Sequence, residues 1–285
     1  MRSRSRFGVL RTLIAGYAAV WTAVRAPALL DPLDYAARRL DPVGPLAFLD
    51  APVADAVLVV AVIATPVASG LLALGRHERW TAPVAAIGFL FVTTYRNSWG
   101  QLFHTENLVA LHLVVLALAA FAPRADDEDG RRWAVDAMAV MTVGTYFLAG
   151  VAKWRISGTA WLDGDVLRHQ IAFDNARKEI LGDTSSPFAG WLLRQGWLLG
   201  PAAVMSVLVE LAAPLALLRG RVAAVWCGLA LAFHWAVLAF MAILFPYHLL
   251  GIGLAPLLPV ERIGTTVEGW TGRFRRASPT STLPG

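Results

Sequence analysis

The sequence predicts an all-α integral membrane protein, a polytopic bundle of seven or eight transmembrane helices, and three observations carry that prediction. Hydrophobic residues make up 57% of the 285 positions and charged residues only 16%, with a mean hydropathy of +0.56, which is more apolar than a soluble domain sustains. The apolar residues gather into continuous runs that can cross a hydrocarbon core of about 30 Å, without the ten-residue alternation of a membrane barrel. Many of the 11 tryptophans stand near the ends of those runs, among them Trp21, Trp80, Trp99, Trp133, Trp154 and Trp197, as rings anchored at headgroup level do.

The runs fall near residues 7–24, 53–74, 80–95, 104–121, 133–154, 197–218 and 222–244, and a shorter one at 247–259 decides between seven and eight. The first follows a basic stretch, MRSRSRFGVLRTLIAGY, and continues to Trp21, so it is expected to stay as a signal anchor. The longest connection, residues 155–196, is expected to be functional, and its segment 165–173, DVLRHQIAF, to form a short helix on the membrane surface. Residues 1–259 form one domain. The polar Ser/Thr/Pro-rich tail 260–285 is expected to be disordered and cytoplasmic.

Arginine placement sets the orientation. With the N-terminus inside and eight crossings, inner segments hold 15 basic residues against 9 outside, which puts both termini in the cytoplasm and Lys153 at the outer end of the fifth run of a multi-pass cell-membrane protein. A net charge of +5 is better accounted for by anionic lipid than by nucleic acid, because the arginines are spread through the loops. The single cysteine, Cys227, excludes an internal disulfide, and the six scattered histidines form no HxxxH or HxH pair, so no metal is expected. Phosphate-loop, dinucleotide and serine-hydrolase motifs are absent.

Ionisable side chains at membrane depth are costly and mark candidate sites: Arg11, Asp55, His104, Glu106, His112, Asp136, Lys153, Glu210 and His234. Asp55, Asn97, Trp99, His104, Lys153 and His234 are expected in the outward half. Tyr146, Gly150 and Lys153 share one helix face, where Gly150 lets a helix or a flat ligand approach. His104 and His112, eight apart, are expected to share a face of the fourth helix, and His234 and Met241 a face of the seventh. Arg11 and Asp136 point to orientation or ion pairing, and Glu210 to a structural or interhelical pairing role. Lys153 is one of two lysines among 25 basic residues. In a dry pocket it can shed its proton and act as a base, which an arginine cannot. At a helix end it can equally snorkel to the interface.

Beyond these physical readings, the run Tyr146-Phe147, Ala149-Gly150-Val151, Lys153, Trp161 and Gly164 resembles the YFxAGVxK…WxxG stretch of the horizontally transferred transmembrane (HTTM) family, which includes vitamin K-dependent gamma-carboxylase. Ser98-Trp99 followed by His104, Ser186-Pro187-Phe188, and Glu210 with Phe233-His234 and LFPYHLL agree in order, over residues 95–255. The resemblance implies a quinol cofactor or substrate of the menaquinone or vitamin K kind, with Lys153 as the catalytic base that deprotonates it at the outer face. Trp99, His104, Tyr146, Gly150, Trp161 and His234 would shape the quinol site. This chain has Ala152-Lys153 where the family member has two adjacent lysines, and an acidic run from Asp126 to Asp129 replaces a histidine-bearing segment. About 25 residues follow the last run, without a counterpart of the extramembrane substrate domain, so quinol chemistry is expected rather than complete glutamate carboxylation. Expected partners are membrane lipid and a peptide or protein substrate. The alternative expectation is a non-catalytic membrane scaffold that assists peptide maturation or export; oligomeric state is left open.

Overall fold

The computed structural model describes residues 5–122 and 131–261, so the acidic run 126–129 and the tail beyond 261 lie outside the described residues. Among the described residues there is no strand. Ten α-helices follow in order: α1 Arg6–Leu30, α2 Asp55–Ala73, α3 Glu78–Asn97, α4 Asn107–Phe121, α5 Arg132–Ser157, α6 Asp165–Ile180, α7 Ala189–Arg194, α8 Gly196–Leu211, α9 Gly220–Met241 and α10 Pro246–Leu249.

Among the described residues, four segments are long and apolar enough to cross a membrane: Arg6–Asp34, Asp55–Ala73, Arg132–Trp161 and Gly220–Met241. The other runs are helical for identifiable reasons but fall short of that standard. α3 carries Glu78, Arg79 and Arg96 at its ends. α4, at 15 residues, spans about 22 Å at 1.5 Å per residue. The run 197–218 splits into α8 and a 3₁₀ segment, Ala213–Leu218, because Pro214 has no N–H to continue the ladder. The indole of Trp226 donates to the Val209 carbonyl at 2.8 Å beside that break.

Helices α1 to α4 pack in chain order, and α5 stands between two cores. One face of α5, with Ala134, Val135 and Met138, joins the core of α1–α4, while Ala139, Val143 and Tyr146 join a second core with Val209, Ala213, Ala216, Ala223 and Trp226. Charged residues at the N-terminal end of α1 are paired, as expected of Arg11 and Asp136. Arg11 and Arg131 both meet Glu78, and Arg219 meets Asp136 at 2.6 Å.

The eighth run departs most from a simple span. Residues 247–259 contain α10, a turn with Gly251 at φ +71°, and a 3₁₀ turn, Ala255–Leu257, rather than one helix. The stretch from the end of α9 through this segment is held at both ends. At one end, Asn175 donates to the Phe240 carbonyl at 3.0 Å, while Ser186 and Lys178 engage the carbonyls of Ala239 and Met241. At the other, the Pro256 carbonyl accepts from Arg6 at 2.9 Å and from Arg219 at 2.6 Å. Such backbone is tolerated at depth only where protein surrounds it. Here Thr142 donates to the Gly253 carbonyl at 2.8 Å, and Tyr247 is fully buried.

Candidate functional site

Five of the sequence-predicted residues converge on one cavity of about 620 Å³: His104, Tyr146, Lys153, Glu210 and His234. Its wall also includes Asn107, Thr145, Gln170, Phe233, Phe245 and His248, mixing apolar surface with a few polar groups in the size range of small-molecule sites.

Lys153 reaches the cavity from the last turns of α5, and its ammonium group bonds the Glu210 carboxylate. The two ends of the pair differ in exposure: 20% of the lysine side chain is accessible, against 4% for the glutamate. Gly150 makes the pairing possible. A Cβ at position 150 would stand 2.9 Å from the Leu211 side chain and 3.0 Å from the Glu210 Cβ, so the missing side chain lets α8 lie against α5. Its role is helix packing beside the cavity, and it does not line it. Gly164, at φ +85°, plays a similar part farther along, since a Cβ there would meet the backbone of Gly200 at 2.5 Å.

Trp161 is buried beneath Lys153. Its ring centre is 5.3 Å from the ammonium nitrogen, and its indole donates to the Ser206 hydroxyl at 3.2 Å. The aromatic ring therefore steadies the lysine from behind. The Phe233 ring, 5.7 Å from the same nitrogen, lies on the cavity side.

Another part of the wall is built from two stacked histidines. His234, on α9, and His248, on α10, have ring centres 4.4 Å apart, and the Tyr146 hydroxyl lies 2.8 Å from His234 Nε2. His248 reaches this position because Pro246 opens a turn of helix inside the eighth run. It was not singled out from the sequence, since the run reads by composition as a span. Its signal was the Pro-Tyr-His triplet flanked by Gly251 and Gly253. Three buried atoms at the cavity residues have no hydrogen-bond partner: Glu210 Oε2, His234 Nδ1 and His248 Nδ1.

The remaining candidates sit elsewhere. Trp99 packs edge-on against Tyr95 and Tyr35 at ring distances of 5.7 and 5.6 Å, away from the cavity. Its neighbour Ser98 holds the 31–54 connection by accepting from Asp41 N at 2.8 Å through its carbonyl and from Val43 N at 3.3 Å through its hydroxyl. Asn97 also lies outside the cavity, but it positions His104 indirectly. Its amide group donates to the Phe103 carbonyl at 2.9 Å and accepts from Phe103 N at 3.0 Å, fixing the bend that delivers His104 to the mouth, with its ring 5.5 Å from Phe245. His104 precedes α4, so helical periodicity does not apply to it, and it shares no helix face with His112. His112 is wholly enclosed, bonded to the Tyr247 hydroxyl at 2.7 Å and the Met138 carbonyl at 3.1 Å.

No family model, curated protein or solved structure matches this chain.

The case for a site therefore rests on its chemistry. The Ser186-Pro187-Phe188 stretch contributes no side chain to the cavity wall. Ser186, with Asn175 and Lys178 of α6, secures the C-terminal carbonyls of α9 and so fixes the end of the helix that carries His234. α6 covers 165–173 as expected and extends to Ile180. It brings Gln170 to the cavity mouth.

Proposed function

We propose that this is a multi-pass membrane protein of HTTM type that binds a quinol-type lipid, with Lys153 as the base acting on a ring hydroxyl. The observation that carries the reading is the Lys153–Glu210 pair on the wall of a cavity that is also lined by His234 and His248. The donor set fits a flat, apolar ring with oxygen at its edges. Phe233, Phe245, Leu148 and Val237 supply apolar surface, and the orphaned polar atoms supply hydrogen-bonding sites.

A quinol supplies a hydroxyl whose ionisation makes the ring easier to oxidise. Lys153 is the acceptor of that proton. Glu210 fixes the amine in place, and an amine–carboxylate pair can carry its single proton on either partner without changing its net charge. With the proton on Glu210, the amine is free to accept another. Trp161 and Phe233 confine the nitrogen on two sides, which favours approach of an apolar ring over bulk water.

In the same reading the chain crosses the membrane seven times as helices and an eighth time as the broken segment 242–261. Both ends then lie in the cytoplasm and the cavity in the outer half. The arginine balance supports that orientation.

The test is quinol turnover by the full chain in lipid nanodiscs, wild type beside Lys153→Arg. Arginine keeps the positive charge but cannot act as a base near neutral pH, so the expected loss is about 10²- to 10⁴-fold with quinol binding retained. Equal turnover by both proteins would remove Lys153 from the chemistry. Absence of both binding and turnover in the wild type would favour the scaffold reading, in which the pair only locks α5 to α8.

A further inference from the structure

We infer that Glu210 is a specificity-determining residue that makes the cavity prefer the reduced ring over the oxidised one; the inference rests on the quinol-binding reading of the same site.

Glu210 and His234 each leave one buried polar atom without a hydrogen-bond partner. Glu210 is 3% exposed, and its Oε1 is engaged by Lys153 while Oε2 has no donor. Whether the proton shared with Lys153 sits on the amine or on Oε1, Oε2 only accepts, so a ligand oxygen seated beside it must bring a hydrogen. His234, 5% exposed, is polarised in the opposite sense. In the tautomer that turns Nδ1 toward a ligand as a donor, the Tyr146 hydroxyl donates to His234 Nε2, 2.8 Å away. That leaves the ring hydrogen on His234 Nδ1, which also has no partner. A nitrogen in this state only donates, and it meets an oxygen lone pair.

The two walls therefore differ in what they require. Any oxygenated ring, reduced or oxidised, has lone pairs for His234. Only a ring bearing a hydroxyl has a hydrogen for Glu210. An acceptor-only ring would set a carbonyl oxygen against a carboxylate oxygen and leave the latter buried without a partner, an arrangement that costs about ten- to a hundredfold in affinity. Discrimination of this type arises from unmet hydrogen bonds rather than from shape, which matters here because the two redox forms of a ring are nearly isosteric.

The experiment uses the full chain in nanodiscs under anaerobic conditions. It measures saturable binding above protein-free nanodiscs for menadione, its reduced form menadiol, and menadiol dimethyl ether. Wild type is expected to bind menadiol about ten- to a hundredfold more tightly than either acceptor-only compound. Glu210→Gln places an N–H where the carboxylate had only oxygen, and it is expected to bring the menadiol/menadione ratio to within about threefold of unity or invert it. Tyr146→Phe releases His234 from its oriented state, and it should weaken both compounds alike while leaving the ratio intact. The wild-type comparison stands even where a variant fails to fold. Equal affinity for all three compounds would overturn the inference and leave the quinol reading standing, as would a Glu210→Gln ratio unchanged from wild type. No saturable binding of any compound would overturn both.

Discussion

Among the described residues two histidine–tyrosine hydrogen bonds occur, and they have opposite relations to their surroundings. In one, His112 of α4 meets the Tyr247 hydroxyl through Nδ1 at 2.7 Å, while its Nε2 lies 3.1 Å from the Met138 carbonyl and 3.2 Å from the Thr142 hydroxyl. Every polar atom of that ring is used, and the residue is 0% exposed. In the other, His234 of α9 meets the Tyr146 hydroxyl at 2.8 Å and its second nitrogen meets nothing. The same pair of side chains thus serves as a closed fastening in one place and as an open valence in the other. A buried histidine is evidence of a binding site only when the protein has left one of its nitrogens unsatisfied beside a cavity.

The comparison is broken most severely by His112→Ala. It removes a buried ring, leaves a void among α4, α5 and α10, and strands the Tyr247 hydroxyl, so a loss of about 3–5 kcal/mol is expected in chemical unfolding of the detergent-solubilised chain. The corresponding His234→Ala should cost clearly less, because one of its nitrogens is already without a partner. Equal losses at the two positions would erase the distinction. Next in size is Gly150→Ala, which forces a methyl into Leu211 and Glu210 at about 3 Å. We expect about 1–3 kcal/mol of destabilisation and a drop in ligand binding larger than the stability change explains, read by melting and binding on the same preparation.

The matched substitutions Tyr247→Phe and Tyr146→Phe sharpen the contrast. The first leaves His112 Nδ1 unsatisfied inside protein, at about 1–2 kcal/mol by thermal melting. The second is expected to shift stability by less than about 1 kcal/mol and to show itself in ligand affinity instead. A reversal of that order would mean that the cavity lined by His234 is the more rigid of the two environments. Smallest in its effect on the cavity is Asn97→Ala, which frees the bend before His104 without touching the cavity wall. It is expected to cost about 1 kcal/mol and to alter binding only as far as His104 contributes at the mouth.

How far the sequence foretold this arrangement depends on which physical rule governs each residue. α2, α5 and α9 follow from uninterrupted apolar runs, for which composition and length suffice. The pairing role of Glu210 was legible because a carboxylate at depth needs a partner, but that partner is set by the Gly150 contact, a tertiary fact. Trp99 was misplaced because an aromatic at the end of a run can turn toward the cavity or toward a neighbouring loop. Its choice follows from Tyr35, more than sixty residues upstream. His104 was assigned to a helix that starts three residues later. His248 was missed because an apolar average conceals Pro246, Gly251 and Gly253, which end helical continuity regardless of hydropathy.

That broken segment has a consequence for how the molecule is made. A continuous apolar helix can leave the insertion machinery for lipid by itself, since its backbone is already bonded internally. Residues 242–261 have no such independence. Their carbonyls look to Arg6, Thr142 and Arg219, side chains synthesised earlier and already in place. Its polar backbone is therefore matched only when those side chains are present, and it carries Phe245 and His248 with it. The cavity is completed only when this late piece docks, so a ribosome-bound chain stalled before it emerges would hold Lys153, Glu210 and His234 on a bundle with one wall missing.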